Sequence, residues 1–112
     1  MGTHRTSREE QQLSVIMVMK AKADPAKVEE VAQGNPERMT SIIEHAKEHG
    51  VIHHRFLGGD GEIVVIDEWE SEEGFQAFFG HDEQVAELMQ EAGVASEPEI
   101  TFYRPLDTGD EI

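Results

Sequence analysis

The sequence predicts an α+β domain of ferredoxin-like order βαββαβ, with one four-stranded antiparallel sheet carrying its helices on one face. Three observations predict it. Four β-prone runs, at 13–23, 51–57, 62–70 and 99–104, are separated by helical patterns between the first and second and between the third and fourth. Gly58, Gly59, Asp60 and Gly61 join the middle two runs through residues that tolerate positive φ, so those runs should pair as a hairpin. Val15 to Met19 in the first run and Ile63 to Ile66 in the third are apolar at consecutive positions, so both faces of those strands call for cover.

Taken in order, the first strand at 13–23 is rich in β-branched and other apolar residues. Asp24 followed by Pro25 is an N-cap and first-turn pair, and Val28, Val31 and Ala32 recur at helical spacing until Gly34 interrupts. Asn35 and Pro36 repeat that start signal. Met39, Ile42, Ile43 and Ala46 then form an apolar stripe that ends at Gly50, a natural left-handed cap. After the hairpin, Ser71 caps a helix with Glu72 and Glu73 in its first turn, where negative charge meets the positive end of the helix dipole. Phe75, Phe78, Phe79, Val85, Leu88, Met89 and Ala92 supply its buried side, Gly80 bends it, and Gly93 ends it. The last strand follows Pro98 at 99–104. The segment 1–12 reads as a flexible N-terminal arm, 13–104 as one domain and 105–112 as a C-terminal tail.

Composition excludes several function classes. Twenty-four acidic residues against nine basic ones give a formal charge of −15, which repels phosphate backbones and anionic headgroups. Neither nucleic acid nor membrane is an expected partner. No apolar stretch approaches the ~20 residues of a membrane span, and 1–12 lacks the apolar centre of a secretory signal. Cysteine is absent, so thiolate chemistry and disulfides are excluded, in keeping with a cytoplasmic location. At 112 residues, with 38% hydrophobic content, the chain has no surplus for a second layer over the outer sheet face. An identical sheet from a second copy is the simplest cover, so a homodimer is expected.

The run Val64-Val65-Ile66-Asp67-Glu68-Trp69-Glu70-Ser71-Glu72-Glu73-Gly74-Phe75-Gln76-Ala77-Phe78 resembles the strand-to-helix segment of the antibiotic biosynthesis monooxygenase-like dimeric α+β barrel proteins. With Gly50-Val51-Ile52 and the element order, the resemblance spans about 13–104. It implies the fold strongly and an activity weakly, because one fold hosts many sites. The functions it implies are small-molecule binding and cofactor-independent monooxygenation of an aromatic or quinone-like substrate. A binding or accessory protein without turnover is the alternative, and a His-ligated metal enzyme a third. The haem-degrading members carry an asparagine on the first strand and a histidine on the second helix. Here that strand has no asparagine and the helix reads Gln84-Val85-Ala86-Glu87, so no haem and no other cofactor is expected.

His45, His49, His53 and His54 form the main chemical cluster. His45 and His49 lie one helical turn apart, and the strand leaving Gly50 can bring a histidine opposite His45. Strand parity groups His54 with Ile52 and Phe56, and His53 with Val51 and Arg55. His54, His53 and His45 are therefore candidates for a general base toward a phenolic or carbonyl substrate, while a metal site and ordinary solvated histidines stay open as alternatives. Candidate ligand contacts are Trp69, Phe75, Phe78, Phe79, Tyr103, Arg104 and His81. Asp67 and Glu68 are adjacent and alternate across the sheet, which argues against a paired-carboxylate mechanism. Asp82, Glu83, Glu87 and Glu91 read as a solvated helix face.

Overall fold

The computed structural model describes residues 14–112. The arm at 1–12, and Leu13 at the expected start of the first strand, lie outside the described residues. The elements run β1 (Val15–Lys22), α1 (Pro25–Gln33), α2 (Pro36–Glu48), β2 (Val51–Gly58), β3 (Glu62–Trp69), α3 (Glu72–Phe79), α4 (Glu83–Glu91) and β4 (Glu99–Tyr103). The sheet is antiparallel in the order β2-β3-β1-β4, so β1 and β3 are central and β2 and β4 are edges. This is the ferredoxin-like α+β layer, with both helical connections split in two.

The first split follows the start signals. Asp24 Oδ1 accepts from the Ala26 amide and Asn35 Oδ1 from the Arg38 amide, each just ahead of a proline at the first helical position. The second split corrects the expectation of one helix bent at Gly80. Gly80 caps α3, and Asp82 starts α4 by accepting from the Val85 amide at 2.9 Å. Asp82 is accordingly buried, not part of a solvated face. A charged cap tolerates burial there because its oxygens have partners on α4 and α2, described below.

Strand alternation separates the two sheet faces. Met17, Met19 and Ala21 of β1, with Ile63, Val65 and Trp69 of β3, are buried beneath the helices. They pack with Ile42 and Ala46 of α2, Phe75 and Phe78 of α3 and Leu88 of α4. The opposite face carries Ile16 and Val18, Val64 and Ile66, Leu57 and Tyr103, none of them buried. Ile66, at the centre of that face, is 39% exposed. Among the described residues, cover for β1 and β3 is thus present on the helix side only.

Two backbone devices position the helices on the sheet. Gly50, at φ 98°, takes the left-handed turn out of α2, and its carbonyl accepts from the Glu70 amide at 2.8 Å, which ties the start of β2 to the end of β3. Gly74, in the first turn of α3, lies against the His49 carbonyl so closely that no Cβ fits between them. On the surface, Arg38 of α2 makes a two-point ion pair with Glu91 of α4, at 2.8 and 3.1 Å. Hydrogen bonding from Arg38 holds the Glu91 carboxyl below the usual carboxylate range, and Glu91 in turn raises Arg38.

Candidate functional site

A partly open cavity of about 70 Å³ lies between the helices and the sheet. Ile42 and Ile43 of α2, Phe78 and Phe79 of α3, and Leu88 and Met89 of α4 form its roof, while Met19, Phe56 and Val65 form part of its floor. His54 and Asp67 are its polar lining residues. They face each other across β2 and β3 because the register pairs His54 with Asp67.

A β-bulge creates that register. Val51 pairs with Trp69, but the next pair is His53 with Glu68, so Ile52 is skipped. An unbroken ladder from Val51 would have set His53 opposite Asp67, because each step along an antiparallel pair moves one residue on both strands. The extra residue moves the pairing by one and sends His53 to the outer face and His54 to the cavity.

The polar group is a chain of three side chains. Asp67, 5% exposed, accepts through Oδ2 from the Trp69 indole Nε1–H at 3.0 Å and has its Oδ1 2.7 Å from His54 Nδ1. A carboxylate only accepts, so Nδ1 carries the proton, and in the neutral imidazole Nε2 keeps its lone pair. Both Asp67 oxygens are thereby occupied, which satisfies the buried charge. The His54 ring also packs edge-on against Phe56 at a centroid distance of 5.1 Å. Its side chain is 28% exposed, so the ring is partly open to solvent. The carboxylate thereby holds the tautomer and the orientation of the imidazole.

A second histidine–aspartate pair lies outside the cavity lining. His45 Nδ1 is 2.6 Å from Asp82 Oδ2, and its ring meets those of His49 at 4.9 Å and Phe78 at 5.3 Å. The expected convergence of His45 with a strand histidine is therefore not seen: His45 and His54 bind different carboxylates. Among the described residues no group of three or more His, Asp or Glu side chains is disposed to hold a metal ion.

The other candidates are distributed. Phe78 and Phe79 line the cavity. Trp69, only 1% exposed, and Phe75 lie beside it in the core with their rings edge to face at 5.5 Å, so neither is a cavity wall. His53 faces outward beside Glu68, and Tyr103 occupies the outer face of the edge strand β4. Arg104 follows β4 and His81 lies in the α3–α4 link, both exposed. Asp67, set aside in the sequence reading, is the residue that organises the site. The signal for it was present, since alternation puts Asp67 in phase with Val65 and Trp69 and hence among core residues.

No family model and no curated protein matches the chain. Solved structures do. A monooxygenase from Streptomyces coelicolor, in complex with the ligand nanaomycin D, superimposes with a TM-score of 0.61 at 19% identity, over 92% of this chain and 96% of that one. SnoaB, a cofactor-independent oxygenase from Streptomyces nogalater, gives 0.60 at 16% identity, over 88% and 98%. A conserved protein from Methanosarcina mazei gives 0.60 at 20% identity, over 87% and 97%. The chain has the antibiotic biosynthesis monooxygenase-like fold. Within this fold the His54–Asp67–Trp69 chain sits on the helix-facing surface of the sheet, and no helix among the described residues is long and apolar enough to cross a membrane.

Proposed function

We propose that this chain is a cytoplasmic homodimer that binds a small aromatic molecule in the cavity of each subunit and oxygenates it with dioxygen, without a bound cofactor. The observation that carries the reading is the His54–Asp67 pair at the polar end of an otherwise apolar cavity. His54 Nε2 takes the hydroxyl proton of a phenolic ring, and Asp67 stabilises the imidazolium so formed. The electron-rich phenolate then reduces dioxygen. Four electrons leave the ring, one oxygen atom stays as a new carbonyl, and the other departs as water carrying the two hydrogens the ring has lost. Fold likeness to cofactor-independent oxygenases supports this chemistry by analogy.

The test begins with a thermal-shift screen of phenols, quinones, haem and divalent metals, followed by oxygen-uptake assays on each ligand that raises the Tm. His54→Ala leaves one oxygen of the buried Asp67 without its partner and should lose some stability, while the folded variant should lose at least about 100-fold in turnover, the usual contribution of a general base. Turnover that survives in that variant removes His54 from the chemistry. Ligand binding with no oxygen uptake in the wild type selects the reading as a binding protein.

The homodimer rests on the outer sheet face. Ile66 pairs with Val18 and Arg55 in the sheet, so a charge placed at Ile66 would sit in the middle of any sheet-to-sheet contact. The wild type should elute in light scattering at twice the 12.6 kDa chain mass, and Ile66→Arg at the chain mass. A wild-type monomer at micromolar concentration would end the assignment.

A further inference from the structure

The polarity and size of the cavity go further than its general likeness to an aromatic site. Among the described residues its polar lining is limited to His54 and Asp67, and both oxygens of Asp67 are already occupied by His54 and Trp69. With Nδ1–H committed to Asp67, the remaining polar atom is His54 Nε2, a hydrogen-bond acceptor. Among the described lining side chains, and with the imidazole neutral, the nitrogen and oxygen atoms thus offer one acceptor and no donor. A quinone or ketone, whose oxygens only accept, finds no side-chain partner there. An anionic ligand meets the Asp67 charge instead of a cation.

Size narrows the ligand again. Apolar cavities of about 150 Å³ admit benzene, whereas this one measures about 70 Å³. One ring enters only if some lining yields, and Met39 and Met89, both half-buried on the helices of the roof, are the side chains with the rotamer freedom to do so. A second fused ring exceeds that volume further still. We infer that the cavity selects a neutral, single-ring phenol with one hydroxyl, which donates to His54 Nε2 while the ring lies among the apolar side chains. This rests on the reading of the cavity as the binding site and replaces its broad class of small aromatic ligands with a specific one.

The experiment titrates the full chain, under dinitrogen, with phenol, anisole, hydroquinone and 2-naphthol, following the ring nitrogens of His54 by ¹⁵N NMR. Phenol should saturate and shift Nε2. Anisole, which has the same ring and no proton to donate, should bind about tenfold more weakly or worse. Hydroquinone should also bind more weakly than phenol because its second hydroxyl is buried without a partner. Binding of 2-naphthol should not be detectable. Asp67→Asn turns an amide NH₂ toward Nδ1, drives the imidazole proton to Nε2 and should reverse the phenol-over-anisole preference. The nitrogen shifts report that tautomer directly. His54→Leu, which keeps the apolar volume and removes the acceptor, should bring phenol and anisole to within about twofold.

Equal affinity for phenol and anisole in the wild type, preference for 2-naphthol, or failure of phenol to bind overturns the inference. Its fate separates from that of the oxygenase reading. Phenol-selective binding with no oxygen uptake in air removes the enzyme and leaves the selectivity. Oxygen uptake driven by 2-naphthol in preference to phenol does the reverse.

Discussion

Gly74→Ala should lower stability by about 3 kcal/mol and the Tm by roughly 10–20 °C. Helix propensity alone predicts the opposite sign, since alanine in a helix is favoured over glycine by about 1 kcal/mol. What reverses it is the His49 carbonyl, which occupies the space a Cβ would need. That oxygen is backbone at the end of α2, so relief requires α2 and α3 to separate, and these helices carry Ile42, Ala46 and Phe78 over the cavity. Ala77→Gly, at an exposed position of the same helix, should cost only about 1 kcal/mol. Chemical denaturation of the three proteins decides it. An alanine at 74 that leaves stability unchanged or raises it would show that the close approach is absent in solution.

Asp67→Ala should cost about 3 kcal/mol, a large loss for one side chain of this size. Two causes act together. The Trp69 N–H, at a residue only 1% exposed, loses its acceptor, worth about 1–3 kcal/mol for a buried unsatisfied donor, and the truncated side chain leaves a void. Because the first cause depends on Trp69, the two positions should couple. Trp69→Phe removes the donor, so adding Asp67→Ala to it should cost at least about 1 kcal/mol less than Asp67→Ala does alone. Unfolding free energies of the two single variants and the double variant supply the cycle, and strict additivity would mean that the indole–carboxylate bond contributes nothing to the fold.

Much of the architecture was legible because it is written in local signals. The caps Asp24 and Asn35, each with a proline after it, and the glycine turn before β3 act within a few residues of chain, and they put the elements where the structure has them. The break between α3 and α4 was harder to see. Gly80 alone permits a bend, and it is the buried Asp82, held by the Val85 amide on one oxygen and by His45 on the other, that turns a bend into a new helix start. Part of that stabilisation comes from 37 residues away, beyond the reach of a local pattern.

The sequence by itself determined the strand and helix order, the apolar second face of the sheet, and the placing of two histidines at the start of β2. Parity already pointed to His54, which shares its side of the strand with Phe56, but which carboxylate it meets was decided by tertiary structure. Alternation ranks His53 and His54 by parity along one strand, but the side chain opposite Asp67 is set by the register between two strands, and the bulge at Ile52 shifts that register by one residue. A bulge is stabilised by the packing of both strands on the helices above them and leaves little trace in the local pattern of residues. One skipped position therefore separates a histidine that faces outward from one that donates a hydrogen bond to a buried carboxylate.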